Sequence, residues 1–180
     1  NGLDPKQIIT LGTQRLFVPE DMQLARPDTL EQAGVWVLAL KANSLAARRG
    51  RVLKTGEALG PDAQQKAQAY EQYFAHNVDL VASRLKTLPQ SDRVRVYHSM
   101  GNPLTTTGRP SLNQDWMDLA GAVNIAESWF GPNKRSAGEV ALEQVVNANP
   151  QVIVAMNKRD ADEINSSPQW ASVDAVIHHR

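Results

Sequence analysis

Four stretches of the chain place cations directly after short apolar, β-rich runs. Gly12-Thr13-Gln14-Arg15 follows Ile8-Ile9-Thr10-Leu11, and Lys41-Ala42-Asn43 follows Val35–Leu40. Gly101-Asn102-Pro103-Leu104-Thr105-Thr106-Thr107-Gly108-Arg109 follows Val94–Met100, and Asn157-Lys158-Arg159 follows Val152–Met156. If the runs are strands of open parallel sheets, these loops lie at the carboxyl ends, where such sheets hold their ligands. Arg15, Lys41, Arg109, Lys158 and Arg159 then suit an anion bound by charge-assisted hydrogen bonds, with Asn102 and Thr105 as neutral polar groups of the longest loop. Ser111 and Gln114 form a capping box for a helix over Leu112–Ala120, whose free N–H groups would add to an anion site. The plainer account is that loops are polar anyway and that Lys and Arg solvate strand ends. Trp129, in a loop flanked by Gly, Pro and Asn, is open to stacking on a ligand ring, whereas Trp116 shares a helix face with Leu112 and Leu119 and reads as core.

No signature of a known catalytic apparatus accompanies these cations. The chain has no G-x-S-x-G, no H-E-x-x-H, no Walker A loop and no G-x-G-x-x-G opening a helix, so no cofactor is implied. Its four histidines are His76, His98, His178 and His179. His76 falls on a long helix and reads as solvent-facing. Adjacent residues of a strand point to opposite faces, so His178 and His179 would not share a metal. Arg48, Arg49, Arg51 and Lys54 cluster on another helix with no aromatic residue between them, which reads as a solvated face.

Bulk composition narrows the class further. The 180 residues are 42% hydrophobic and 21% charged, a globular composition. Nineteen basic residues balance nineteen acidic ones. A chain of zero net charge is poorly suited to general nucleic-acid binding, which depends on clustered Lys and Arg. Cysteine is absent, which removes thiolate ligands, disulfides and cysteine nucleophiles. No apolar run approaches the roughly 20 residues of a membrane span.

The elements that must position the cations follow from periodicity. Residues 1–60 read as strand, helix, strand: Ile8–Leu11, then Thr29–Ala33 stopped by Gly34, then Val35–Leu40, with a further helix over 44–59. From Ala63, apolar side chains recur at Ala67, Tyr70, Phe74, Val78, Val81, Leu85 and Leu88, one stripe of a single long helix between Gly60-Pro61 and Pro89. Residues 90–180 return to α/β alternation, with strands at 94–100, 122–126 and 151–156, a helix from Leu142 stopped before Pro150, and a final strand beginning at Val173–Ile177. The expected fold is therefore α/β: a partial lobe (1–60), a connecting helix (61–89) and a second lobe (90–180). A coiled-coil interaction module is the competing use of the long helix, and a nucleotide-binding Rossmann-type enzyme fragment is the competing use of the loops.

Several local motifs, in a fixed order, resemble those of substrate-binding proteins of ABC importers for iron–siderophores, haem, cobalamin and related metal compounds. Thr29-Leu30-Glu31-Gln32-Ala33-Gly34-Val35-Trp36-Val37 is similar to that family's L-x-x-A-G-I-x-V turn, and Gly56-Glu57-Ala58-Leu59-Gly60 to the lead into its backbone helix. Ser111 through Asn124, with Asp115-Trp116 and Ala120-Gly121-Ala122-Val123-Asn124, resembles its s-x-x-x-x-h-x-x-a-G-g-x-N segment. Leu142-Glu143-Gln144-Val145 with Asn149-Pro150-Gln151-Val152-Ile153-Val154 resembles E-x-l-x-x-x-n-P-D-v-I-i. Pro168-Gln169-Trp170 and Val173–Val176 resemble the family's P-x-W-x-x-i-x-A-V close.

The resemblance implies two Rossmann-like lobes with parallel-type sheets joined by one long backbone helix, the first lobe incomplete and the chain an internal fragment. It implies a monomeric transport protein rather than an enzyme, one that captures an iron–siderophore or another metal chelate or oxyanion between its lobes. Delivery to a membrane permease would use Glu143, which stands at the position of the family's docking glutamate. The location implied is the periplasm, or the outer side of the membrane as an anchored lipoprotein.

Overall fold

A computed structural model of the chain describes residues 5–12, 14–19, 27–40, 44–131 and 136–180. The chain divides into two compact units, residues 1–72 and 73–180, so the division falls inside one helix.

In the first unit α1 (Pro5–Thr10) leads to β1 (Arg15–Pro19), and α2 (Pro27–Gln32) leads to β2 (Trp36–Leu40). The two strands pair in parallel, from Arg15 with Trp36 to Pro19 with Leu40. A parallel pair needs a crossover, and α2 supplies it. Gly34, at φ 77°, takes the left-handed turn that brings the chain from α2 into β2. Ile8, Leu30 and Val35 are buried together, with Leu16 and Val37 packed against them.

The expected strand at Ile8–Leu11 is instead the end of α1, and the true strand is the following Arg15–Pro19. A four-residue apolar run does not distinguish helix from strand. Here the proline at the first helical position and the burial pattern decide, because Ile8 turns into the core while Ile9 and Leu11 stay exposed.

Ser44 caps α3 (Leu45–Leu59) by accepting from the Ala47 N–H at 3.0 Å. Gly60 then separates it from α4 (Pro61–Leu85), an unbroken helix of 25 residues. Gly56 of α3 lies against Ala63, Gln64 and Ala67 of α4, so closely that a Cβ on Gly56 would stand 2.5 Å from the Ala67 Cβ. Arg49 and Glu71 form an ion pair between the same helices. Along the expected apolar stripe Ala67 is buried, Phe74, Val78, Leu85 and Leu88 are half-buried, and Tyr70 and Val81 are exposed.

The second unit is built on a parallel sheet of order β5-β3-β7, formed by β3 (Arg95–Ser99), β5 (Val123–Asn124) and β7 (Val152–Ala155). A separate antiparallel pair joins β4 (Thr105–Thr107) to β6 (Ala137–Glu139). The helices are α5 (Leu112–Leu119), α6 (Leu142–Ala148), α7 (Lys158–Ser166) and α8 (Asp174–Ile177). Tyr97, Val145, Ile164, Trp170, Val173 and Ala175 form the core. The Tyr97 phenol donates to the Pro103 carbonyl at 3.0 Å, and burial pushes its pKa well up.

Three expectations change in this unit. The strand at 122–126 shortens to Val123–Asn124, because the Asn124 side chain turns the chain by accepting the Ala126 N–H at 3.0 Å. Val173–Ile177 is one helical turn rather than a strand: the Asp174 N–H goes to Asn149 Oδ1 at 2.8 Å and the Ala175 N–H to the Pro150 carbonyl at 3.0 Å. The 151–156 strand is a half-buried edge of the described sheet rather than a buried one.

Candidate ligand-binding edge of the second unit

The parallel strands of the second unit point their carboxyl ends the same way, and two helices start beside them. β3 exits through Met100 and Gly101, and β7 exits through Met156 and Asn157. The final register pair is Ser99 with Ala155, and Met100 and Met156 are the residues that follow it on the two strands. Ser111 caps α5, accepting the Gln114 N–H at 3.1 Å. Asn157 caps α7 the same way, accepting the Asp160 N–H at 2.9 Å while its amide donates to the Asp160 carboxylate at 2.9 Å. Each cap satisfies a donor that would otherwise be orphaned at the helix start.

Asn113, in the first turn of α5, ties this edge together. Its amide donates to the Met100 sulfur at 3.4 Å and to the Thr107 hydroxyl at 3.1 Å, while its oxygen accepts the Trp116 indole N–H at 3.1 Å. The Trp116 ring in turn meets His98 edge-on at 5.9 Å. His98 is buried and its Nδ1 has no partner among the described residues, so burial lowers its pKa.

Behind the edge runs a polar network that the sequence does not announce. Asn124 donates to the Thr107 carbonyl and to Gln114 Oε1, each at 2.9 Å, and Gln114 donates to Asp118 at 2.8 Å. Arg109 completes it, with Nη2 on Asp118 and Nε on Glu127, both at 2.8 Å. These two carboxylates, Glu127 first, hold the Arg109 guanidinium above its ordinary pKa. Gln114 therefore spends its side chain on Asn124 and Asp118, and the expected capping box is present only in its Ser111 half. The signal for Asn124 lies in the Gly121-Ala122-Val123-Asn124 motif, which by itself marks only kinship.

Most of the candidate cations occupy different surroundings from those their spacing implies. Arg15 begins β1, at the amino end of its strand, because the strand lies later than expected. It borders an open cavity of about 1070 Å³ lined also by Glu31, Trp36, Lys54 and Glu57, where an anion would meet two carboxylates as well as two cations. Lys41 lies outside the described residues. Arg109 is engaged with carboxylates, and Lys158, in the first turn of α7 rather than in a loop, bonds Asp162 at 2.6 Å.

The neutral candidates shift as well. Asn102 shapes its own turn, accepting the Leu104 N–H at 2.9 Å. Thr105 belongs to β4, opposite Glu139, because the 101–109 segment holds a strand that finds its partner some thirty residues later. Trp129 lies in a loop as expected, but its ring packs on the core 6.4 Å from that of Tyr97 and is half-buried. Arg159, also in the first turn of α7, reaches across the carboxyl edge of the parallel sheet, where Nη2 donates to the Gly101 carbonyl at 2.9 Å and meets the buried Asp160 carboxylate at 3.3 Å. Glu143 is exposed in the first turn of α6.

This architecture has known counterparts. A molybdate periplasmic binding protein, MolA of Haemophilus influenzae, solved with molybdate bound, superposes with a TM-score of 0.83 at 19% identity over 99% of this chain and 60% of its own. CeuE of Helicobacter pylori, solved with Ni(II) bound, superposes with a TM-score of 0.75 at 17% identity over 98% of this chain and 56% of its own. An uncharacterised ABC transporter substrate-binding lipoprotein of Bacillus subtilis, YvrC, is 24% identical over 99% of the chain. The chain spans 57% of that relative's length. The periplasmic binding protein family model matches residues 3–180. Parallel sheets before and after one long helix, and a family match running nearly end to end, place this chain in the periplasmic binding protein family.

Proposed function

We propose that the chain is the ligand-capturing part of an ABC importer's substrate-binding protein, taking up a metal chelate or metal oxyanion outside the cytoplasmic membrane. The observation that carries this reading is the family match over residues 3–180. The Bacillus relative is named as a substrate-binding lipoprotein, and solved relatives of the same fold hold molybdate or nickel. The family is one of solute-binding transport proteins rather than an enzyme class, which weighs against the nucleotide-enzyme reading. Among the described residues no helix is long and apolar enough to cross a membrane. Residence in the periplasm and lipid anchoring at the membrane's outer face are the two locations this role allows.

Within the second unit, Arg159 and the Met100–Met156 exit are the surface best placed to receive a ligand. Around that surface Asn102 shapes the turn after β3, Thr105 joins β4 to β6, and Arg109 ties the last turn of α5 to Glu127. Glu143 is the proposed contact with the permease, adding register and orientation rather than raw affinity.

Titration calorimetry of the full-length protein with sodium molybdate, hemin and a ferric hydroxamate siderophore tests the reading. Saturable one-to-one binding of one of them is expected. Silence toward all three, combined with thermal stabilisation by NADH, ATP or a UDP-sugar, would replace the importer reading with the nucleotide enzyme.

A further inference from the structure

His98 lies just before the last residue of β3, only 7% exposed, and its Nδ1 has no partner among the described residues. An orphaned polar group in the interior costs free energy, and a buried imidazole tolerates an added proton less than an exposed one does. A run of contacts leads from it to the exit of the strand. The imidazole meets the Trp116 ring edge-on at 5.9 Å. The Trp116 indole N–H donates to Asn113 Oδ1 at 3.1 Å, and the Asn113 amide donates in turn to the Met100 sulfur and the Thr107 hydroxyl. Asn113 stands in the first turn of α5, so one side chain ties the start of that helix to β4 and to the residue on which β3 leaves the sheet.

The charges around His98 are placed to do little for it. On α5 the carboxylates are Asp115, which has interactions of its own, and Asp118, bound to Gln114 and Arg109. β7 sets Val154 in register with His98, and β4, β5 and β7 carry no titratable residue. The helices α6 and α7 lie across the sheet, where Val145 and Ile164 pack with Tyr97. On α4, whose Leu85 lies against Gly121, His76, Asp79 and Arg84 are exposed. Arg93 and Arg95 stand at the amino end of β3. An imidazolium at this position must look to water, and Val154, 37% exposed beside it, marks the side from which water comes.

We propose that His98 is an acid-sensitive latch: neutral, it seats Trp116 and so keeps Asn113 and the β3 exit in place, and protonated, it draws water into the face, unseats Trp116 and frees Met100 and the start of α5. For a binding protein the consequence is that ligand held at this edge is let go in acid, and that consequence alone rests on the importer reading. Burial lowers the imidazole's pKa while the latch is closed, so opening takes up a proton and is favoured as the pH falls below the ordinary value of about 6.5. Uptake of a single proton limits the accompanying loss of affinity to about tenfold per pH unit.

The test uses the full-length protein free of ligand, titrated by NMR from neutral to mildly acid pH while circular dichroism confirms that it stays folded. The Trp116 indole, the Asn113 side-chain amide and the Met100 methyl should shift together with the His98 ring, with one midpoint below about 6.5. The indoles of Trp129 and Trp170, which pack around Tyr97, should not follow. His98→Gln, neutral at every pH, should abolish the shared titration, and His98→Phe gives a second reading from a side chain closer in shape to the imidazole. A Trp116 shift that leaves Asn113 and Met100 unmoved overturns the latch, as does a shared titration that survives in both variants. Calorimetry at neutral and acid pH then follows whichever of sodium molybdate, hemin and a ferric hydroxamate siderophore binds. The parent should lose roughly fivefold more affinity in acid than either variant, a comparison that cancels the probe's own protonation. Equal losses overturn the latch as a control of binding and leave the importer reading standing. Failure to bind any of the three removes the importer reading, while the ligand-free titration still decides the latch.

Discussion

Arg109 shows how a residue's type can mislead when its neighbours are unknown. A cation after a strand and before a capped helix has the right address for an anion, yet Asp118 and Glu127 claim its guanidinium. The more consequential residue is Asn124, which is buried and serves Thr107, Gln114 and the turn at Ala126. Asn124→Ala leaves those groups unpaired in the interior, at about 1–3 kcal/mol for each group that water cannot reach. We expect a loss of about 3 kcal/mol in urea-induced unfolding, with Asn124→Asp recovering only part of it, because a carboxylate cannot donate to both the Thr107 carbonyl and Gln114.

His98 makes a second prediction at this scale. Its folded pKa is lowered by burial, so below the ordinary value of about 6.5 the unfolded chain binds a proton that the folded chain refuses. Stability should therefore fall as pH drops below about 6.5 and level off once the folded pKa has been passed. Melting temperatures of His98→Phe should lack that His98 component of the acid limb, and an unchanged slope would contradict it.

Among the elements, those with a strong internal rhythm were legible and those decided by a distant partner were not. The 25-residue α4 declares itself through its three-four spacing and its flanking Gly60-Pro61, and α3 through Ser44 and Gly60. α1, α8 and β4 are short, and short runs leave helix and strand nearly equal in local energy. Tertiary hydrogen bonds then decide, as Asn149 and Pro150 do for α8 and Ala137–Glu139 do for β4. The α3–α4 contact is a further case, since nothing local marks Gly56 as the residue on which Ala67 must close. Gly56→Ala gains about 1 kcal/mol of helix propensity but forces a Cβ onto Ala67 and the Ala63 carbonyl. Overpacking of this kind costs about 1–3 kcal/mol, so a net loss of up to about 2 kcal/mol is expected. Ala67→Gly in the same chain should restore part of it in a double-mutant cycle.

For the whole molecule, the docking role proposed for Glu143 at the exposed start of α6 can be tested apart from ligand binding. Glu143→Arg should leave ligand affinity and melting temperature unchanged while weakening attachment to the permease several-fold. That weakening should be largest at low salt, as expected of a rim charge that governs encounter more than affinity. Equal transport by the variant and the parent in reconstituted vesicles would remove Glu143 from the docking role. By itself the sequence determined the α/β alternation, the single long helix, the family and the exposed place of Glu143, because periodicity, caps and turn residues are local properties that the chain carries wherever it goes. Tertiary structure alone decided which cations meet carboxylates, and that Met100 and Met156 follow the last paired residues of neighbouring strands. Those outcomes depend on strand register and on carboxylates brought in from elsewhere in the chain, and neither is encoded at the position of the residue concerned.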